Sequence, residues 1–321
     1  MANVIYTKQR GLNMVTDVSI IIAAFNAQKT LGTAIESALN QTDCNLEVIV
    51  VDDCSTDDTA LIAKRYATLD SRVSVLKTDY NLGCSEARNL AISAARGTWL
   101  AVLDADDFFA PDRIATLLET AKKETVEIVV DSYFLCDSLS MNAHTARFTA
   151  LCPPEESRLF TAQDFIHHGL GSTKPLFKAS LLQKHDLSFD PFVSAGEDLL
   201  LYTQLVLLQA KCAFINRPMY FRTEDPSSLS RQNRIGFLTE LLTVFDVLEG
   251  NLSLLHCDFD KTYHAIAYRR KITHDALAAA QWKQWAEHKT SDSFPSVLSG
   301  FRLLRHLCFK KQRYAMCPLQ V

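Results

Sequence analysis

Thr98-Trp99-Leu100-Ala101-Val102-Leu103-Asp104-Ala105-Asp106-Asp107 runs from an apolar stretch straight into an acidic one. A short apolar run of this kind reads as a strand buried on both faces. Two further runs match it upstream, Val18-Ser19-Ile20-Ile21-Ile22-Ala23 and Glu47-Val48-Ile49-Val50-Val51. Between them, Leu31, Ala34, Ile35, Ala38 and Leu39 recur at the spacing of one helix face. Leu61, Ile62, Arg65, Tyr66 and Leu69 repeat the pattern, and Val73 to Leu76 and Ile128 to Val130 are shorter strand candidates. Ser85 is placed to cap a helix reaching about Ser93, and Pro111 to open one over 111–124.

Alternating strands and helices predict an α/β fold, a mostly parallel sheet flanked by helices. Ligands of such sheets bind beyond the carboxyl ends of the strands. Functional residues are therefore expected after Ala23, Val51 and Leu103, where polar residues cluster. Downstream the alternation weakens. Short helices are expected over 161–168 and 178–185, and a longer one over 197–209. Two short strands follow, at 213–215 and 220–222. Beyond about residue 230 the chain turns helical, roughly over 235–255 and 258–290. This gives a domain over 17–230 and a helical C-terminal extension over 231–321.

With 321 residues, 48% of them hydrophobic, the composition is that of a folded globular protein. A net charge of −4 gives no basic surplus for nucleic acid. No secretory signal or span-length apolar stretch is evident, so a cytosolic location is expected. The nine cysteines include no C-x-x-C pair and read as reduced thiols. Over 295–314, Val297, Phe301, Leu304 and Cys308 share a stripe with Arg302, Arg305, Lys310 and Lys311 nearby. Such a basic amphipathic segment suits either peripheral contact with an anionic membrane or packing on the domain.

Asp52-Asp53 and Asp104, Asp106 and Asp107 fall on the same sheet edge. Carboxylates desolvated together repel, and Mg²⁺ or Mn²⁺ resolves this by taking carboxylate oxygens with substrate phosphates and water. Ser55 to Asp57 read as caps for the following helix. Gly83 suits a tight turn, and Arg88 is placed either to bind phosphate or to pair with an aspartate. Glu197-Asp198 precedes an apolar helix and is by itself an acidic pair at a helix mouth.

In order along the chain, these pieces resemble glycosyltransferase family 2, with its GT-A fold. Val18 to Asn26 resembles the opening strand and loop, and Glu47 to Asp58 the second strand with its aspartates. Asn81-Leu82-Gly83 through Arg88 to Gly97 resembles the lead into the D-x-D signature at Asp104 to Asp107. Gly196-Glu197-Asp198 resembles the E-D motif, and Tyr220-Phe221-Arg222 with Ser228-Leu229-Ser230 the acceptor-side loop. Ala24 and Phe25 stand where the family often has proline and tyrosine, and no Q-x-x-R-W motif marks a processive enzyme.

The resemblance implies inverting transfer of a single sugar from a nucleotide-diphosphate sugar, with a UDP-sugar expected, to an acceptor hydroxyl. A saccharide or lipid-linked saccharide acceptor in bacterial surface or exopolysaccharide assembly is implied. Asp198 is expected as general base, with Glu197 orienting. Asp53 is expected at the nucleotide base, with Ala23, Phe25 and Asn26 lining the same pocket and Arg88 near the phosphates. Asp104 is expected at the ribose or the metal, and Asp106, with Asp107 or Asp104, as holder of Mn²⁺ or Mg²⁺. The alternatives are a sugar nucleotidyltransferase, though Ala23-Ala24-Phe25-Asn26 is no glycine-rich phosphate loop, or a binding-only relative that has lost catalysis. An oxidoreductase would need G-x-G-x-x-G, which is missing.

Overall fold

A computed structural model describes residues 3–6, 16–137, 142–224, 233–252 and 259–287. Its strands are β1 (Asn3–Tyr6), β2 (Val18–Ala24), β3 (Leu46–Asp52), β4 (Val73–Lys77), β5 (Trp99–Val102) and β6 (Phe108–Phe109), followed by β7 (Ile128–Asp137), β8 (Ala143–Arg147), β9 (Ser157–Phe160), β10 (Leu176–Lys178) and β11 (Cys212–Glu224). The helices are α1 (Leu31–Leu39), α2 (Thr59–Leu69), α3 (Cys84–Ala94), α4 (Arg113–Glu124) and α5 (Ala162–His168), then α6 (Ala179–His185), α7 (Glu197–Leu207), α8 (Arg234–Asn251) and α9 (Phe259–Glu287). They flank one mixed sheet of order β1-β4-β3-β2-β5-β10-β7-β11-β6, with β8 beside β7 and β9 beside β11. The expected parallel half is β4-β3-β2-β5. In the second half β10 runs antiparallel to both its neighbours, while β7 and β11 are parallel.

The apolar runs form strands because neither face of the sheet meets water. Ile20, Ile22, Val48 and Val50 pack on Leu31, Ala34 and Ile35 of α1. The alternate residues Ile21, Ile49, Val51, Leu100 and Val102 pack on Ala87 and Ala91 of α3. Successive side chains of a strand point to opposite faces, so a strand covered on both sides must be apolar throughout. In-register pairing then levels the carboxyl ends: Ala24 lies opposite Asp52, and Asp52 opposite Lys77.

A buried polar knot fixes the other end of these strands. Ser19 Oγ donates to Glu47 Oε1 at 2.7 Å and accepts from the Gly97 N–H at 2.8 Å. Arg96 bonds the same carboxylate through its backbone N–H, at 2.8 Å, and its guanidinium. This knot sets the turn into β5 and so the position of the acidic run that follows.

Four expectations change. The helix expected to open at Pro111 begins at Arg113, with Asp112 as its N-cap. The strand from Ile128 runs on to Asp137 because its polar residues are paired in the core: Asp131 is gripped by Arg113, and Ser132 donates to Asn216 Oδ1 at 3.2 Å. The two short strands near 213 and 220 are one strand, β11, whose ladder along β7 shifts at Pro218, a residue with no N–H to donate. Helix α3 begins at Cys84 with Gly83, at φ 85°, as its N-cap, so Ser85 lies inside the helix and does not cap it. Helices α8 and α9 share a core with α5 and α7 through Phe245, Leu248 and Ile266 against Ile166, Leu200 and Leu207.

A Cβ added at Gly97 would stand 2.4 Å from the Ser19 backbone nitrogen and 2.7 Å from the Val18 carbonyl carbon. Gly97→Ala is expected to cost about 1–3 kcal/mol by overpacking. Urea unfolding checks it, through a lower midpoint at unchanged slope; an unchanged midpoint contradicts the reading.

Candidate active site

Three loops meet at the levelled strand ends. The first follows β2, where Ala23 is half-buried and Phe25 and Asn26 are exposed. Asn26, at φ 50°, uses its side chain within the protein: Oδ1 accepts from the Thr56 N–H at 2.9 Å, and its own N–H donates to Ser55 Oγ at 3.0 Å. Asp57 Oδ2 accepts from the Gln28 N–H at 3.2 Å, and Thr59 Oγ1 from the Ala27 N–H at 2.7 Å. Ser55 and Asp57, expected as helix caps, thus brace this loop against the second, although Asp57 Oδ1 also accepts from the Thr59 N–H in the first turn of α2. Phe25, 49% exposed, stands on that braced loop.

Asp53 is buried. Its carboxylate accepts from Thr78 Oγ1 at 2.9 Å and from the N–H groups of Leu82 and Gly83, both at 2.8 Å. Asp53 therefore fixes the turn that launches α3, and α3 carries Arg88.

Arg88 is the hub of the third group. Its guanidinium is almost fully buried and lies over the Phe189 ring, 5.1 Å from the centroid. Nη2 donates to Asp104 Oδ1 at 2.7 Å; Nη1 donates to Glu197 Oε1 at 2.7 Å and to Asp198 Oδ1 at 3.1 Å. The acid that follows β5 and the acid pair that opens α7 are thereby joined by one side chain. Gly196, at φ 89°, turns the chain so that Glu197 and Asp198 fall in the first turn of α7.

Lys174 was not singled out by the sequence. Its Nζ lies 3.0 Å from Asp104 Oδ2 and is paired with Asp198 Oδ2. Burial opposes its charge, but the Asp104 and Asp198 carboxylates outweigh that and raise the ammonium above its ordinary range. Burial likewise opposes ionisation of Asp104, yet Lys174 and Arg88 hold that carboxyl well below the usual range. The backbone beneath Lys174 is anchored from within the core. Arg113 forks onto Asp131 at 2.9 and 2.7 Å and donates to the Lys174 carbonyl at 2.5 Å. The signal that could have found this anchor is the long-range pairing of Arg113 with Asp131, and a single sequence does not display it.

The acidic run divides its labour. Asp107 is buried, accepting from Tyr220 Oη at 2.6 Å and from the Thr223 N–H at 2.7 Å. Burial, then the charges of Asp106 and Asp104, push its carboxyl well above the usual value. Asp106 is exposed, and among the described residues its side chain forms no ion pair. Partial desolvation, with Asp104 close behind it, raises its carboxyl. Among the described residues no three His, Cys, Asp or Glu side chains stand together as a metal cage. Magnesium and manganese need no such cage where one or two carboxylates are joined by substrate phosphates and water. Asp106 fits that requirement. Asp107, expected among the ligands, does not, because both its oxygens face hydrogen-bond donors of β11. Asp104, the other candidate, is already neutralised by two cations.

The α/β sheet, with Asp104-Ala105-Asp106 after β5 and Glu197-Asp198 joined to it through Arg88, has the arrangement expected of a GT-A glycosyltransferase. The sequence model of the family described as "Glycosyl transferase family 2" matches residues 19–185. The chain is 36% identical over 242 residues to the succinoglycan biosynthesis protein ExoO of Rhizobium meliloti, covering 72% of this chain and 68% of that one. It spans 65% to 46% of the length of the next three relatives. Two solved structures share the fold at 18% identity. S. aureus TarS 1-349 in complex with UDP-GlcNAc has a TM-score of 0.62, over 84% of this chain and 73% of that one. The mannosyltransferase PcManGT of Pyrobaculum calidifontis, in complex with GDP-Man and Mn²⁺, has 0.59, over 95% and 85%. The chain belongs to glycosyltransferase family 2.

The Asp107 carboxyl supplies a pH test. A carboxyl raised in the folded state stabilises the fold below its unfolded value and loses that contribution as pH rises through the folded value. Asparagine keeps an acceptor for the Thr223 N–H without the ionisation, while its amide would donate to Tyr220 Oη in place of accepting from it. Relative to the parent, Asp107→Asn should therefore gain on the order of 1 kcal/mol of stability between about pH 4 and about pH 7. Urea unfolding at the two pH values reads this, and a difference that does not change with pH contradicts it.

Proposed function

We propose that this glycosyltransferase moves one sugar, with inversion, from a UDP-sugar to a hydroxyl of a saccharide or lipid-linked saccharide during assembly of a bacterial surface or extracellular polysaccharide. The observation that carries the mechanism is the Arg88 fork, which sets a donor-side acid, Asp104, and an acid of the E-D motif, Asp198, within the span of one guanidinium. Asp198 takes the proton of the acceptor hydroxyl as that oxygen attacks the anomeric carbon. Glu197 orients Arg88. Phe25 and Ala23 wall the nucleotide pocket, and Asn26 and Asp53 hold the loops that form it, with Asp53 also offered to the base. Arg88 and Asp104 sit on the diphosphate and ribose side. Asp106 would hold Mn²⁺ or Mg²⁺, which when bound offsets the charge developing on the leaving diphosphate.

The relative ExoO is named for succinoglycan biosynthesis, and TarS has been solved with UDP-GlcNAc; these support a polysaccharide product and a UDP-sugar donor. We assign residues 17–230 to the catalytic domain and 231–321 to a C-terminal extension, which is helical over Arg234–Asn251 and Phe259–Glu287 and lies outside the described residues from 288 onward. The six described free cysteines suit a reducing cytosol. No helix among the described residues is long and apolar enough to cross a membrane. The 295–314 segment, offered above for peripheral membrane contact, lies outside the described residues.

Asp198→Asn is expected to keep donor binding, seen as a thermal shift with UDP-glucose or UDP-N-acetylglucosamine, and to lose transfer to a membrane-lipid acceptor fraction by about 10²–10⁴-fold. Transfer at the parent rate would remove Asp198 from the base role. Asp106→Ala should abolish stimulation by Mn²⁺; retained stimulation would place the metal elsewhere.

A further inference from the structure

The Asp198 carboxylate is not free in this arrangement. Oδ1 accepts from Arg88, and Oδ2 is paired with Lys174. The two cations differ in kind. Arg88 is fixed, forked onto Asp104, Glu197 and Asp198 and lying over Phe189. Lys174 presents a compact ammonium on a flexible four-carbon stem. That ammonium has three donors and stands between Asp198 and Asp104. Its main chain, in contrast, is anchored through the carbonyl to the Arg113–Asp131 pair, and Pro175 follows. With its root held, any movement of the ammonium must come from the rotatable bonds of the stem, and its second partner, Asp104, lies 3.0 Å away.

We propose that Lys174 is a positioning residue that guards the base: its ammonium covers the Asp198 carboxylate against water and yields it only when an acceptor hydroxyl enters. The proposal rests on the reading of Asp198 as base. The reaction it suppresses is hydrolysis of the donor. In that reaction a water oxygen bonds to the anomeric carbon and the water's proton passes to Asp198. The bond from that carbon to the diphosphate oxygen breaks, and its electron pair leaves on that oxygen. Free sugar and nucleoside diphosphate result, and the donor is lost. Limiting such side reactions is a general requirement of sites that handle activated groups. A guard on the base does so without closing the cleft to the acceptor.

The test is nucleoside diphosphate release without acceptor, in Mn²⁺. The probe is whichever of UDP-glucose, UDP-N-acetylglucosamine and GDP-mannose raises the parent's melting temperature most. Lys174→Met should release nucleoside diphosphate about tenfold faster than the parent, and Lys174→Met with Asp198→Asn should fall back to the parent level or below. A purely structural role would only lower release, so the rise is the discriminating result. Lys174→Gln, which keeps hydrogen-bond donors without the charge, is the second variant should the methionine variant not unfold cooperatively; it should also raise release. Release at or below the parent rate in a cooperatively folded variant overturns the guarding role. A rise that survives Asp198→Asn overturns it too, while the base reading falls only if Asp198→Asn also transfers sugar at the parent rate. Loss of transfer in Asp198→Asn, with no rise in either lysine variant, leaves the base reading standing and removes the guard alone.

Discussion

The site depends on one buried guanidinium. Arg88 lies below the protein surface with three carboxylates around it, two of which also pair with Lys174. An isolated buried charge is strongly penalised, and removing one partner from a buried pair typically costs about 3–5 kcal/mol. The fork therefore acts as a geometric lock. It ties helix α3 to the loop after β5 and to the first turn of α7, three segments that share no local sequence. Much of the surrounding structure can be understood as what holds Arg88 still. Asp53 fixes the turn before α3. Asn89 grips the Phe189 backbone at both N–H and carbonyl, so the ring over which the guanidinium lies is itself held.

The same economy explains how one acidic run serves different ends. Asp104, Asp106 and Asp107 are neighbours in sequence but face different surroundings. Asp104 turns to Arg88 and Lys174, Asp107 to Tyr220 and Thr223 in β11, and Asp106 to solvent. Burial and partner choice then set them apart electrostatically, one carboxyl held down and another pushed up. Phe108 and Phe109, immediately after, pair with Phe221 and Tyr220 of β11. That short pairing aims the acidic run and keeps Asp107 inside the wall.

The parallel half of the sheet was legible because strands covered on both faces must be apolar along their length, and runs such as Ser19 to Ala24 say so directly. The second half was harder for the same reason inverted. Asp131 and Ser132 look like a strand's end, yet they lie in the core because Arg113 and Asn216, remote in sequence, satisfy them. Arg88, Asp104, Glu197 and Asp198 were each visible as candidates, and the structure brings them together. What could not be read was the connection among them. The pairing options for Arg88 included an aspartate; that it takes both ends of the site at once is a consequence of topology. Lys174 carried no signal at all, since a lysine before a proline in a weakly patterned stretch resembles any surface lysine.

The charge balance at the cleft gives the arrangement its direction. Arg88 and Lys174 pair with its acids, and Arg222 lies within electrostatic reach of Asp104, Asp106 and Asp107; against these three cations stand Asp104, Glu197 and Asp198 in the network and Asp106 and Asp107 beside it. The excess is negative, and a diphosphate would deepen it. Burial and the neighbouring carboxylates push the Asp107 carboxyl well above its usual range, and Asp106, whose carboxyl is also raised, has no paired cation among the described residues. A divalent cation held by Asp106 would bring positive charge to such a site and would offset the charge that the leaving diphosphate develops. Arg88 and Lys174 would thereby be left to hold the acids in place. On the proposed reading a metal would complement the Arg88 fork, whose Nη1 and Nη2 groups are already engaged by Asp104, Glu197 and Asp198.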